Sequence, residues 1–486
     1  MNILMAASEA VPYAKTGGLA DVVGALSKAL VKRDASVSVF LPLYSQIDLE
    51  RFPLKSTGHT VTVPVSDRLE TGEIFSHELA GVQYYFIKND PYFNRPGLYG
   101  TNEGDYADNA ARFVFFSRAV LESAKVLGLH PDLLHCHDWH TGLIPVFLKA
   151  AYADEPSFQE TATLFTIHNL GYQGIFWHYD WHLLNLPWDY FNYEALEFYG
   201  KINFMKGGLV FADALSTVSP TYAKEIQTAA YGCRLEGILR KRRKDLYGIL
   251  NGIDTEEWDP SRDPTIAATY DAKTLQGKEK CKTALQKEAG LPTRKEIPLL
   301  AMISRLSEQK GIDLLIGVFE RVMGTGAQCI ILGNGDKEYE VRLQALAKKY
   351  PEQAVVQIAY DHSLAHRIEA GADIFLMPSK YEPCGLSQMM SLRYGTAPVV
   401  RATGGLDDTI TQFNPETLKG NGFKFKAYTA TAFFRQIQNA LSLFREKKKW
   451  RALIQNGMEG DYSWNASAEK YLKLYRMIHK KKRGER

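Results

Sequence analysis

The stretch Asn2-Ile3-Leu4-Met5-Ala6-Ala7, with Lys15-Thr16-Gly17-Gly18-Leu19-Ala20-Asp21 close behind it, decides the fold. The first run is short and apolar without strict alternation, as expected of a strand buried on both faces of a parallel sheet. After the two glycines, Leu19, Val22, Val23, Leu26 and Leu30 recur at i, i+3, i+4, i+7 and i+11, the stripe of an amphipathic helix. A buried strand, a glycine turn and a helix open a βαβ unit.

Working outward, the same alternation continues. Candidate strands are Ser36–Leu41, Val82–Ile87, Leu133–Cys136, Thr163–Ile167, Ala214–Val218 and Leu246–Leu250. After about residue 255 the series restarts with Leu299–Ile303, Gln328–Leu332, Val355–Ala359, Ile374–Met377 and Pro398–Arg401. A chain of 486 residues is too long for one ordinary core. The reading is an α/β protein of two doubly wound Rossmann-like domains, joined near Gly252–Pro264, where Gly, Asp and Pro cluster. Ligands in such sheets sit at the carboxyl ends of strands, so two facing domains would frame one central cleft. A final helix carries Ala468, Tyr471, Leu472, Tyr475 and Ile478 on one face, with Ser463 or Asn465 as its cap, and reads as a strap packing back on another element. The division is therefore 1–252, 253–462 and 463–486. The loop Asn89–Asp108, rich in Gly, Asn, Tyr and Pro, is long enough to suggest function or mobility.

Composition excludes several classes. The net charge of +3 argues for no nucleic-acid partner, and the basic tail Lys480-Lys481-Lys482-Arg483 reads as a solvated helix end. Cys136, Cys233, Cys281, Cys329 and Cys384 form no C-x-x-C pair and are odd in number, which fits a reducing cytoplasm better than a disulfide framework or zinc site. The first residues read as a strand and not a signal peptide, and no apolar run approaches a membrane span.

The glycine loop places Gly17 and Gly18 at a helix N-terminus, where unpaired amides can hold an anion. Lys15 adds a charge beside it, and Asp21 in the first turn can accept hydrogen bonds from a sugar. By itself Gly-Gly also fits a plain turn. In the second half, Ser304-Arg305-Leu306-Ser307-Glu308-Gln309-Lys310-Gly311 follows a buried strand, and Tyr381-Glu382-Pro383-Cys384-Gly385-Leu386-Ser387-Gln388 follows another. Arg305 and Lys310 suit a diphosphate, one as a planar fork and one as a point charge. Glu382 can hold sugar hydroxyls, while the Gly385 and Leu386 amides and the Ser387 hydroxyl make a second helix-terminal phosphate site, the helix starting near Gly385. Cys384 has no adjacent His and reads as a small buried residue. Three histidines fall within His135-Cys136-His137-Asp138-Trp139-His140, but their spacing at a strand end does not match a helical zinc motif, so no metal is expected there. Asp138 and His168, from Thr166-Ile167-His168-Asn169, read instead as polar groups contacting a sugar. Transfer of a sugar from a diphosphate builds charge on phosphate, and two cations with helix dipoles can stabilise it without a metal.

Taken together, Lys15–Leu30, His137-Asp138-Trp139-His140, Thr166–Asn169, Arg305–Gly311, Glu382–Gln388 and Thr403-Gly404-Gly405-Leu406 resemble the bacterial glycogen synthase and plant starch synthase family, glycosyltransferase family 5, in order from residue 1 to about residue 465. The resemblance implies a GT-B architecture, an acceptor-side N-terminal domain, a nucleotide-sugar-binding C-terminal domain and a last helix crossing back to the first. It implies retaining, metal-free transfer of glucose from ADP-glucose to the non-reducing end of an α-1,4-glucan such as glycogen, with no other cofactor. It further implies that Lys15, Gly18 and Asp21 line the donor site and that Arg305 and Lys310 bind the diphosphate. His168, Asp138 and Glu382 would contact the glucose, with Cys384 beside it, Tyr360 near the adenine and Tyr99 near the acceptor. The chain departs from relatives in having Met390 where many retaining transferases of this fold carry a second Glu, Ser27 where Pro is frequent and Asp407 where Ala is frequent. The competing readings are a UDP-glucose-dependent transferase, a pyridoxal-phosphate phosphorylase and a non-catalytic glucan-binding protein.

Overall fold

The computed structural model describes residues 1–101 and 103–484. Residue 102, in the long loop, and residues 485 and 486, at the end of the last segment, lie outside the described residues. The chain forms two compact units. One comprises Met1–Val218, Ala223–Asn251 and Trp464–Arg486, and the other Ser219–Tyr222 and Gly252–Ser463.

The first unit is built on a nine-stranded sheet. The strand Asn2–Ala6 pairs in parallel with Ser36–Pro42 on one side and with Leu133–His137 on the other. Beyond Ser36–Pro42 comes Val82–Lys88, also parallel, and beyond Leu133–His137 come Ala162–Ile167, Ala214–Thr217 and Leu246–Gly248, all parallel. The chain thus builds the sheet outward in one direction, returns to the centre and builds in the other. The reversal point lies between Asn2–Ala6 and Leu133–His137. Every side chain of Leu133–His137 and Ala162–Ile167 is buried, which is why those segments show no alternation. Two strands that the apolar-run reading does not find, Lys55–Val65 and Arg68–Leu79, extend one edge as an antiparallel hairpin. A small three-stranded sheet lies within Ile175–Asn203.

The second unit carries six parallel strands in the order Ala354–Gln357, Gln328–Leu332, Leu299–Ile303, Ile374–Met377, Ala397–Arg401 and Phe423–Phe425. Here the reversal point falls between Leu299–Ile303 and Ile374–Met377. The core gathers Leu299, Ala301, Ile330, Leu332, Phe375 and Val400 from the sheet with Leu364, Ile368 and Leu392 from the covering helices.

The last helix, Trp464–Lys482, belongs to the first unit. Its predicted apolar face, Ala468, Tyr471, Leu472, Tyr475 and Ile478, is buried. Tyr475 reaches the sheet, its hydroxyl 2.8 Å from His135 Nδ1, and the Ser467 hydroxyl bonds the Leu250 carbonyl. No helix among the described residues is long and apolar enough to cross a membrane, and the five cysteines form no disulfide.

Candidate active site

In each unit most of the residues singled out from sequence follow the carboxyl ends of parallel strands, with Lys15, Asp138, Arg305, Lys310 and Glu382 after strands that flank the reversal point. In the first unit the Asn2–Ala6 strand leads into the glycine loop and the helix Gly18–Val31, which starts where the pattern predicts. The amides of this loop are not all open to an anion. Glu9, only 3 % exposed, accepts the Thr16 and Gly17 backbone N–H groups and the Thr16 hydroxyl at 2.6 Å. A buried carboxylate needs such donors, so the expected anion site retreats to the first-turn amides of the helix. Gly17 has φ −157°, an extended backbone any residue adopts, and a Cβ there would meet nothing within 4 Å. Its lack of a side chain therefore leaves space and serves no turn. Lys15 and Asp21 pair with each other at 2.7 Å, both partly exposed.

Tyr99, expected near an acceptor, has its hydroxyl held at 2.7 Å from Ser8 Oγ while donating to Glu9 at 2.6 Å. Its ring stacks on His140, with 4.6 Å between centroids. Its hydroxyl supports Glu9.

Asp138 ends the neighbouring strand in an uncommon conformation, φ 56° and ψ −176°. This region is nearly restricted to glycine and costs on the order of 1–3 kcal/mol, strain typical of functional sites. Its Oδ1 accepts the His168 backbone N–H at 2.7 Å, and the Asn169 N–H also bonds the carboxylate. The group is buried and anchors the His168 turn, whose amides its carboxylate accepts. Burial pushes its pKa to about 8 against the pull of those amides. His168 is buried as well, and desolvation lowers its pKa to about 3. Its Nε2 lies 2.9 Å from His137 Nδ1, so Nδ1 is the nitrogen left for a ligand.

The three histidines of the 135–140 run do not converge as ligands. His135 lies between Tyr475 and Thr166, His137 against His168, and His140 between the rings of Trp139 and Tyr99. Among the described residues, the group that brings three metal-ligating side chains together is Glu257, His362 and His366.

In the second unit, Arg305 and Lys310 follow the Leu299–Ile303 strand, and Glu382 follows Ile374–Met377 across the reversal point. Lys310 Nζ lies 2.7 Å from Glu382 Oε2, with side chains 18 % and 6 % exposed. Ser379 Oγ donates to the same carboxylate oxygen at 3.0 Å. Gly311 makes this approach possible. It has φ 74°, and a Cβ there would stand 2.2 Å from the Pro378 carbonyl. Arg305 is exposed at the mouth of the loop. Cys384 is buried, and Gly385 turns with φ 72° into a helix that begins at Ser387, two residues later than expected, with Leu386 at its N-cap. The Thr403–Leu406 turn packs on this segment so closely that a Cβ at Gly404 would lie 1.9 Å from the Glu382 carbonyl. Tyr360, 74 % exposed, follows the Ala354–Gln357 strand.

Sequence reasoning passes over two contributors. Glu9 is one, a lone acid between strand and glycine loop. The other is Gly333-Asn334-Gly335-Asp336, whose backbone runs against Arg305-Leu306. Leu306 N–H donates to Asn334 O at 2.8 Å, and a Cβ on Gly333 would lie 1.8 Å from the Ser304 carbonyl. The second left a legible signal, a Gly-x-Gly-Asp after an apolar run.

Comparisons with known proteins match the chain along most of its length. Residues 2–241 match the family model of the starch synthase catalytic domain, and residues 285–459 that of glycosyl transferases group 1. The chain is 50% identical over 476 residues to a glycogen synthase of Koribacter versatilis, covering 98% of both. It is 47% identical over 483 residues to that of Geobacillus stearothermophilus, covering 99% of this chain and 98% of the relative. The solved catalytic domain of starch synthase IV from Arabidopsis thaliana, bound to ADP and acarbose, superposes with a TM-score of 0.92 at 33% identity, covering 98% of this chain and 99% of that one. A sucrose-phosphate synthase from Thermosynechococcus elongatus shares the fold, with a TM-score of 0.61 at 17% identity. With two Rossmann-like domains of the GT-B class and matches along its length, the chain belongs to the bacterial glycogen synthase and plant starch synthase family of glycosyltransferases.

Proposed function

We propose that this protein elongates α-1,4-glucan, such as glycogen, by transferring glucose from ADP-glucose to the non-reducing end with retention, and that it works in the cytoplasm. The observation that carries this reading is the Lys310–Glu382 pair at the reversal point of the second sheet, with Arg305 on the same loop as Lys310. Lys310 has three N–H donors and gives one to Glu382, which leaves donors for diphosphate oxygens. As the sugar leaves, charge grows on the diphosphate, and fixed cations stabilise that state more than the ground state. Glu382, Cys384 and the Gly385–Ser387 turn lie beside the transferred glucose and its phosphates, and Tyr360 offers an exposed ring to the adenine.

In the first unit, Lys15, Gly17, Gly18 and Asp21 form the donor-side loop, and the open space at Gly17 lets a ligand approach the backbone. His168 is neutral at pH 7 because its pKa lies near 3, so it acts as a hydrogen-bonding group and not as a cation. Asp138 positions it. The relatives named glycogen synthase and the ADP-bound starch synthase support donor and acceptor alike.

The test is transfer of labelled glucose to glycogen from ADP-glucose and, in parallel, from UDP-glucose, in the presence of a chelator. Transfer from ADP-glucose is expected. Transfer from UDP-glucose alone would overturn the donor, and no transfer by folded protein that still binds glucan would overturn the activity.

A further inference from the structure

We propose that Glu257, His362 and His366 form a binding site for one transition-metal ion of the zinc class, separate from the sugar-transfer residues and independent of the reading given above. Each of the three side chains offers a donor atom within 4.8 Å of the other two. His362 and His366 are four residues apart on the helix His362–Gly371, so they lie on one face a turn apart. The helix start is fixed by Asp361, whose carboxylate accepts the Leu364 N–H at 2.8 Å. Glu257 comes from a turn in which Asp254 Oδ1 accepts the Glu256 and Glu257 N–H groups. Its carboxylate lies 3.2 Å from His362 Nε2.

His366 points to a ligand independently of this clustering. It is 3 % exposed and stacked under Trp258, with ring centroids 3.9 Å apart. Its Nδ1 lies 2.7 Å from Asp263 Oδ2, which also accepts the Tyr394 hydroxyl at 2.6 Å. A carboxylate at Nδ1 places the proton there and leaves Nε2 with a lone pair. That Nε2 is buried and has no hydrogen-bond partner. A histidine with one nitrogen on a carboxylate and the other bare is the arrangement found in metal-ligating imidazoles, where the outer carboxylate fixes the tautomer and raises basicity. Two imidazoles and one carboxylate suit zinc, cobalt or nickel, and not magnesium or calcium, which prefer oxygen. Metal–ligand bonds of about 2.0–2.2 Å require donors closer than 4.8 Å. His362 and Glu257 are about half exposed and can rotate inward, whereas His366 is locked. Three protein ligands leave a fourth position for water. The bound ion would tie the Asp254–Trp258 turn to the first turn of the helix.

The experiment titrates chelator-stripped, re-dialysed full-length protein with zinc chloride by calorimetry, and with cobalt(II) by visible absorption. One ion per chain is expected, with a cobalt d–d band of low-coordinate N/O ligation and a rise in thermal midpoint with zinc. Because His366 is buried, its variants can fail to fold, so the surface variants His362→Ala and Glu257→Gln are the decisive ones. Each should melt near the wild-type temperature without metal, lose tenfold or more in zinc affinity and lose the thermal shift. Absence of saturable one-per-chain binding, or unchanged affinity in both variants, would overturn the proposal.

Discussion

At the residue scale, the charges that matter for transfer depend on neighbours that hold them. Lys310 and Glu382 are each poorly exposed, and a buried charge without a partner is costly, so each holds the other in place. Removing Lys310 leaves Glu382 with the Ser379 hydroxyl. Lys310→Ala is therefore expected to lower kcat by about 10²–10³-fold, the effect of losing one preorganised charge-stabilising group. Its acceptor KM should change little, because the lysine acts on the departing diphosphate. Lys310→Arg keeps the charge but not the compact geometry, and should fall between. Steady-state kinetics with glycogen, beside a thermal melt to confirm folding, decide it. A kcat equal to wild type in Lys310→Ala would remove the residue from the reaction. The sequence made Lys310 and Glu382 visible because each sits in a distinctive motif after a buried strand. It did not show that they touch, because 72 residues separate them and only the strand order brings them together. Glu9 escapes a sequence reading for another reason. A single acid in a loop carries no pattern, and its role appears only when the amides of Thr16 and Gly17 are seen to converge on it.

At the scale of elements, the helix Trp464–Lys482 shows what periodicity can and cannot tell. Its apolar stripe identifies the buried face, but a stripe does not name the surface it covers. The structure places Tyr475 on a buried polar chain. Its hydroxyl meets His135 Nδ1, His135 Nε2 meets Thr166 Oγ1 at 2.5 Å, and Thr166 meets Ser216 Oγ at 2.6 Å. One consistent direction has Tyr475 donating to His135, His135 to Thr166 and Thr166 to Ser216. Tyr475→Phe removes the first donor and leaves His135 Nδ1 buried without one. The expected cost is about 1–3 kcal/mol, read as a lower denaturation midpoint by chemical melt, with no change in the substrate KM values. A Phe variant as stable as wild type would show that the chain contributes nothing. The hairpin Lys55–Val65 and Arg68–Leu79 is hidden in the sequence for the opposite reason. Its strands alternate exposed and buried residues at a sheet edge, so they lack the continuous apolar runs that betray the central strands.

At the scale of the whole molecule, the two units differ in how they store buried ionisable groups, and this gives them different responses to acid. The first unit buries His135, His137, His140 and His168, all with pKa values held below the usual histidine range chiefly by desolvation. Above pH 6.5 these groups are neutral in folded and unfolded chain alike. Below it, the unfolded chain takes up protons that the folded one refuses, so stability falls as pH falls. Asp138 acts in the opposite sense. Its folded pKa of about 8 lies above the ordinary carboxyl value of 3.8, so its contribution is present at low pH and fades as pH rises through 8. Four histidines against one aspartate leave a net loss of stability on acidification below pH 6.5. The second unit carries the contrary case in Glu369, whose pKa burial raises well above the usual value, and Lys278, lowered to about 8 by desolvation and indifferent to pH below that. Glu369 favours the folded state at low pH and loses that contribution as pH rises. Acid should therefore loosen the first unit before the second. Hydrogen exchange by mass spectrometry at pH 7 and pH 5.5, corrected for intrinsic rates, measures it. Protection should fall in peptides from Leu133–His137 and Ala162–Ile167 while it persists in Leu299–Ile303 and Ile374–Met377. Equal loss in both sheets would show that the buried histidines do not govern acid stability, and earlier loss in the second would reverse the assignment.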